Sequence, residues 1–431
     1  MRWDRIPWVI AAFALSGWAA EFTPPERITG GDAKYQLSRT ASHVMALDSG
    51  GRLHIVFWQG GVATTPTTPS FVYYRNWSFG WSPKIALDNS AVGSSHLGGR
   101  HPSLVVTDDD DVFVVWHDHR HCTAAGNWID NVEIYGDLKP ANGTFSPDDI
   151  RLTNSSAPHP GDNSYTPKVA KGPDGRLSLL WYDYNADRNT SDLYLNTSDT
   201  AGVFNGSLPM ASYRITDAAE RGGGPSFTVP DIAVDGNGTR HLAWAGGLGP
   251  GVNLYYAEAP EGASHVTEQL LAAGATDFFD PPHIEAAPNG DVWVVYGDDS
   301  ALGGEDIFLR RRRDGQPSFD PPVTIAADPA RQYAPDIEVD ALGMAHLVWI
   351  DNRGGAHVEY AVYDPNASLL SDEQALTPGT GPWARPALLL DSEGGVYVLW
   401  EEDISVSAGD IWFTTTKKPV LSSVENWTAY H

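Results

Sequence analysis

Pro335-Asp336-Ile337-Glu338-Val339-Asp340-Ala341-Leu342-Gly343-Met344-Ala345-His346-Leu347-Val348-Trp349-Ile350-Asp351-Asn352-Arg353 is the stretch that decides the fold. It alternates apolar and polar residues as far as Asp340, as a half-buried strand does. It turns at Ala341-Leu342-Gly343 and returns as a second apolar run that closes on Trp349. The proline lies 14 residues before the tryptophan, and the spacing recurs in Pro102/Trp116, Pro167/Trp181, Pro230/Trp244, Pro282/Tyr296 and Pro386/Trp400. A seventh copy ends at Trp58, with Val44 in the proline's place. A register held over units of roughly 50 residues marks a repeat architecture.

Outward from this pair, each unit adds a third run, such as Val358-Glu359-Tyr360-Ala361-Val362, and a weaker fourth. A glycine six residues before the aromatic (Gly175, Gly238, Gly290, Gly343, Gly394) supplies the hairpin turn. Four short antiparallel strands per unit, seven units and no helical period predict an all-β fold, a seven-bladed β-propeller. The blades fall at about 42–86, 101–153, 165–216, 229–272, 281–326, 333–377 and 384–416, within one domain spanning 20–431. Arg27-Ile28-Thr29 repeats the outer-strand pattern of Arg151-Leu152-Thr153 and Arg214-Ile215-Thr216 yet precedes the first blade. The strand at 26–29 is therefore expected to complete blade seven and close the ring; the competing candidate is the tail after Lys418.

The chain of 431 residues carries 28 basic against 55 acidic side chains, a net charge of −27. That excess excludes nucleic acid as a partner, since nothing would neutralise phosphates, and argues against an anionic membrane surface. Arg2 and Arg5, the apolar stretch from Trp8 to Leu15 and the small residues Gly17 and Ala19 read as a cleavable signal peptide over 1–19, hence export, with no membrane insertion. Cys122 is the only cysteine, so no intrachain disulfide forms. Nine Asn-X-Ser/Thr sequons (Asn76, Asn142, Asn154, Asn189, Asn196, Asn205, Asn237, Asn366, Asn426) read either as glycosylation acceptors or as turn sequences.

Loops leading into first strands and leaving second strands share one face, the chemically richer one. It carries Arg100, His101, Tyr165, Phe227, Phe279, Tyr333, Trp383 and Arg385 before first strands, and Asp118, Tyr182, Asp183, Arg188, Asp351 and Arg353 after second strands. Aromatic rings beside carboxylates and arginines suit sugars. The acid two residues after the aromatic in five units (Asp118, Asp183, Asp298, Asp351, Glu402) also has a structural reading, tying loops together by pairing with Arg120 or Arg353. The second unit breaks the pattern with His101, His117, His119, His121 and Cys122. Alternating His117, His119 and His121 in an extended segment would put three imidazoles on one side, a zinc site, or supply a general acid or base. No cofactor is required by this reading; zinc or calcium are the ions it admits. Asp108-Asp109-Asp110-Asp111 replaces a glycine hairpin and lacks the loop that a calcium site needs.

The pattern P-x-I-x-x-D-x-x-G-x-x-H-L-x-W-x-D-x-R from Pro335 to Arg353 resembles the sialidase-like (BNR, or Asp-box) β-propeller superfamily over nearly the whole mature chain, although no intact Asp-box occurs. The resemblance implies a secreted carbohydrate-binding propeller that binds, and in its enzymatic readings processes, a glycan. One such reading is a polysaccharide lyase cleaving uronate-containing glycans by β-elimination. By analogy with propeller lyases acting on ulvan, His101, His119 or His121 would serve as the histidine, Tyr165 or Tyr182 as the acid, and Arg120 or Arg188 as the group that neutralises the uronate. The segment Gly98-Gly99-Arg100-His101-Pro102 departs from that family's pattern. A second reading is a sialidase-like glycoside hydrolase, whose Arg-Ile-Pro motif occurs only at Arg5-Ile6-Pro7, inside the signal peptide. The third is a propeller that engages a protein partner without catalysis.

Overall fold

A computed structural model describes residues 20–30, 33–38, 41–60, 70–78, 80–88, 98–122, 131–154, 162–185, 190–204, 213–217, 229–246, 252–276, 281–299, 304–405 and 407–417. The signal-peptide reading over 1–19 and the tail after Lys417 lie outside them, as do the sequons at Asn189, Asn205 and Asn426. Among the described residues no helix is long and apolar enough to cross a membrane.

The repeat folds into antiparallel sheets. The second unit is typical: Gly99–Val106, Val112–Asp118, Glu133–Lys139 and Ile150–Arg151 pair in chain order. The fourth and fifth units are likewise four-stranded, from Val229–Val234 to Gln269–Thr276 and from His283–Ala286 to Val323–Ala326. In the third, Tyr194 bridges Arg214 where the fourth strand would stand. The aromatic that closes each second strand lies against its neighbours: Trp116, Trp181, Trp244, Trp349 and Trp400 are fully buried. Second strands such as Val112–Asp118 are buried on both faces, which explains why they read as unbroken apolar runs.

First strands of successive units lie against one another. Met45–Leu47 packs on Gly99–Val106, and Gly99–Val106 on Asp162–Lys171. Next come Val229–Val234, His283–Ala286, Gln332–Val339 and Trp383–Leu390, and the last of these packs on Met45–Leu47 again. Glu26–Arg27 pairs antiparallel with Ala408–Thr415 of the seventh unit. The outer segments share one clasp. Arg151 and Thr153 bind Glu133, whereas Arg27 and Thr29 bind Asp410 across 383 and 381 residues of chain. In both, the threonine hydroxyl also accepts a strand N–H, from Ile134 or Ile411.

A second motif recurs at the hairpin end. In units one, four and six a turn aspartate accepts two backbone N–H groups, from Gly50 and Arg52, Asn237 and Thr239, or Leu342 and Met344. Its other oxygen lies 3.3, 3.3 or 3.5 Å from Nε2 of His54, His241 or His346. The opposite ring nitrogen meets the hydroxyl of Tyr74, Tyr256 or Tyr360 at 2.6, 2.9 or 2.7 Å. Burial lowers the pKa of all three histidines despite the aspartate. The Asp108–Asp111 hairpin is a turn of another kind: Asp110 takes the left-handed position (φ 61°) in place of glycine, and its carboxylate is bound by Ser49.

Candidate functional site

The proline that begins each repeat has a local consequence. Register slips by a β-bulge between Arg100 and Ser103, Tyr165 and Lys168, Tyr333 and Asp336, and Ala384 and Ala387. The residue before the proline takes a left-handed φ: His101 50°, Thr166 43°, Ala334 52°, Arg385 43°. Proline cannot donate to the ladder, and a bulge re-aims the side chains beside it. In units two and three this brings His101 and Tyr165 to the mouth of the sheets, opposite the ends of the second strands.

The resulting row of rings runs across three units. Trp58 lies 5.3 Å from His101, His101 5.0 Å from His117, His117 5.5 Å from Tyr165 edge-on, and Tyr165 5.3 Å from Tyr182 in a stack, all between ring centroids. His119 packs edge-on against His117 at 5.3 Å. His117, His119 and Tyr182 are buried, whereas His101 and Tyr165 are half-buried. The Thr166 backbone N–H donates to His117 Nδ1 at 3.1 Å, which leaves the proton of the neutral ring on Nε2. Burial, reinforced by Tyr182 and Cys122, pushes the Tyr165 phenol well above its ordinary value, so it stays protonated. Arg100 pairs with His117 across the strands, and its guanidinium lies 5.4 Å from the Trp58 ring.

Other expected residues are placed differently. His117, His119 and His121 do not converge, and among the described residues no group of three His, Cys, Asp or Glu side chains is arranged to hold a metal. The strand ends at Asp118, whose carboxylate caps the Arg120 N–H at 2.7 Å, and Cys122 N–H closes a turn on the His119 carbonyl. His121 consequently turns away and stacks on Tyr135, bonded to its hydroxyl. The Cys122 thiol lies 3.8 Å from His119 Nδ1.

Arg120, expected to neutralise a substrate carboxylate, is already engaged by acids of the chain. It bridges Asp88, Asp118 and Asp149 at 3.2, 2.7 and 2.6 Å, over the ring of Tyr135. Asp118 also accepts the Trp116 indole N–H at 3.1 Å. The sixth unit repeats the arrangement: Asp351 holds Arg353 at 2.7 Å and lies 3.5 Å from the Trp349 indole nitrogen, and Arg353 also reaches Glu373. Asp118 and Asp351 thus each hold an arginine two residues on, and Arg120 and Arg353 reach further acids on other segments. Trp383, expected as a stacking platform, is buried against Trp400 and Trp412, with its indole N–H on the Gly379 carbonyl. Arg385 pairs with Glu401 at 2.7 Å, a carboxyl that burial pushes up to about 7. Asp183 is buried, 3.5 Å from the Ser164 hydroxyl, and Tyr333 is half-buried under the Arg331 guanidinium. Arg188, Phe227 and Phe279 lie outside the described residues.

Trp58 joins the row although in the sequence it reads as a core aromatic. Its signal was the one unit lacking the proline.

No protein-family profile matches the sequence, and no curated protein matches it. Solved structures do. The chain is similar to the polysaccharide lyase Uly1 (TM-score 0.58, 10% identity, covering 91% of this chain and 99% of that one). It is similar to an ulvan lyase (TM-score 0.59, 10% identity, 90% and 95%) and to a Hadza microbial sialidase, Hz136 (TM-score 0.53, 11% identity, 78% and 66%). The fold is that of the sialidase-like β-propellers.

Proposed function

We propose that this chain is an exported seven-bladed β-propeller, closed by its N-terminal strand, that acts as a polysaccharide lyase on a uronate-containing glycan. The cyclic order of first-strand neighbours and the Asp410 clasp support the closed ring. One observation carries the activity: His101, His117 and Tyr165 stand in ring-to-ring contact at the mouth of adjacent sheets, with His117 held in one tautomer. Polysaccharide lyases share this fold, and an ulvan lyase has been solved bound to a -[GlcA(1-4)Rha3S]- unit.

In this reading the His117 Nε2–H and Arg100 meet the uronate carboxylate, which acidifies the neighbouring C5–H. His101 takes that proton. The C4–O4 bond breaks as the C4=C5 double bond forms, and the leaving oxygen takes the Tyr165 phenolic proton. Trp58 and Tyr182 support the two ends of the row. A glycosidase of the sialidase type would need arginines for the substrate carboxylate, yet Arg120, Arg353 and Arg385 are all engaged by acids. The test is a panel of uronate polysaccharides, read by ultraviolet absorbance of the unsaturated product and by release of reducing ends. Absorbance that appears with wild type and is lost in His117→Ala and Tyr165→Phe, but not in His121→Ala, supports the assignment. Reducing ends without absorbance would make the protein a hydrolase; binding without turnover would make it a lectin-like module.

A further inference from the structure

Arg100 and His101 stand on the first strand of the second unit, and His117 stands near the end of its second strand. The two arms face each other across the sheet, with Gly99 opposite Asp118 and Arg100 opposite His117. One side chain of the preceding unit is bound to both arms. Asp88 follows the outer strand Ile85–Ala86 of the first unit, and its carboxylate is fully buried. One oxygen accepts the Gly99 backbone N–H at 2.7 Å. The other accepts from the Arg120 guanidinium at 3.2 Å.

The entry arm is pressed against its neighbours. Gly98 takes a left-handed φ of 61° and bridges Ser70 of the first unit. A Cβ on Gly98 would run into the Ser70 carbonyl oxygen and the Asp88 carboxylate, and one on Gly99 would stand 2.6 Å from the Trp116 ring. Only glycine permits this close approach, which brings the Gly99 N–H within reach of Asp88. The Gly98 carbonyl accepts the His119 N–H at 3.3 Å, and Arg100 Nε donates to the Ser70 hydroxyl at 3.3 Å. The exit arm is held through Arg120. Its guanidinium is shared between Asp88 and Asp118, and Asp118 follows His117 directly and caps the Arg120 N–H.

We propose that Asp88 is a positioning residue for the site: bound to the Gly99 N–H on one side and to Arg120 on the other, it fixes the spacing of Arg100 and His101 from His117. Its effect on rate rests on the lyase reading; its effect on the placement of the rings does not. Both bonds are charge-assisted and so stronger than bonds between neutral groups. The first unit, which carries none of the proton-transfer groups, thus sets where those of the second unit stand. Asp88 itself touches no substrate. It acts through geometry, and a misplacement of reacting groups by about 1 Å costs on the order of 10²-fold in rate.

Asp88→Asn tests it, because the amide keeps the shape and one acceptor but loses the charge on which Arg120 closes. On a uronate polysaccharide that the wild type cleaves, kcat should fall about 10–10²-fold while KM changes less than about threefold. Asp291→Asn is the control: Asp291 is a similarly buried carboxylate that grips Arg311 in the fifth unit, so this variant should lose stability and keep kcat. Without any substrate, the ring resonances of His101 and His117 in nuclear magnetic resonance spectra should shift in Asp88→Asn and stay in place in Asp291→Asn. Arg120→Lys supplies a second reading if Asp88→Asn does not fold, since an ammonium cannot span the acids that the guanidinium joins, and His117 should then shift. Ring resonances that stay in place in the folded variants overturn the proposal, and so does a wild-type kcat in Asp88→Asn. Shifted rings in a protein whose wild type cleaves no uronate polysaccharide refute the lyase reading and uphold Asp88 as the residue that places the row.

Discussion

Replacing Arg120 by alanine separates a structural arginine from a substrate-binding one. Its guanidinium is the shared partner of Asp88, Asp118 and Asp149, whose side chains are 0%, 0% and 1% exposed. Truncation leaves three buried carboxylates facing one another without a countercharge. Removing one partner of a buried pair costs about 3–5 kcal/mol. Three acids on one cation argue for the upper end, but the arginine itself keeps 19% of its side chain in solvent, which screens part of the interaction. We expect a loss of about 3 kcal/mol at pH 7.5, read from the denaturant midpoint at constant slope. Arg120→Lys should recover only part of it, because an ammonium cannot reproduce the planar fork over Tyr135. An Arg120→Ala protein with wild-type stability and abolished turnover would refute the reasoning and return Arg120 to the substrate.

Tyr165→Phe removes the proposed acid without changing ring packing and should lower kcat about 10²–10⁴-fold, with KM and melting temperature near wild type; equal kcat would exclude the phenol. His54, His241 and His346 are held neutral by burial, so the unfolded chain takes up protons first, near the ordinary histidine pKa of about 6.5. Their contribution is therefore intact above that pH and lost as pH falls below it. Replacing all three by glutamine should remove that part of the pH dependence, so that the wild-type-minus-variant stability difference falls between pH 7.5 and 5, measured by denaturant titration. Thr29→Val removes the hydroxyl shared by Asp410 and the Ile411 N–H and should cost about 1–3 kcal/mol, whereas Thr29→Ser should be nearly silent.

The scaffold was legible because its determinants are local and repeated. Four of the six prolines mark a bulge, each hairpin glycine a left-handed turn, and each closing aromatic a buried contact with the neighbouring sheet. The site was less legible because it depends on where strands stop. His117, His119 and His121 look equivalent in the sequence, but the Asp118 carboxylate ends the strand and sends His121 to Tyr135. Trp383 and Tyr165 occupy comparable places before their prolines. Only the three-dimensional neighbours, Trp400 and Trp412 in one case and His117 in the other, distinguish a core ring from a ring at the mouth. The Asp-His-Tyr motif was visible only in part, as Asp340-x-x-Gly343-x-x-His346, because its tyrosine lies on the next strand.

The clasp between Arg27, Thr29 and Asp410 also bears on how the protein matures. The strand synthesised earliest finds its partner only after nearly the whole repeat array has been made, a separation of 383 residues at Arg27. Until then Ala408–Thr415 has no outer neighbour, and the segment at 26–29 is an unpaired polar strand that follows the expected signal-peptide cut. Closing so long a loop is slow for topological reasons, though the added entropy grows only logarithmically with length. In the closed ring proposed above, the pairing of Glu26–Arg27 with Ala408–Thr415 is the contact with the greatest separation along the chain to be closed. A chain trimmed past Arg27 would leave the edge of Ala408–Thr415 that Glu26–Arg27 covers open to pairing with another copy.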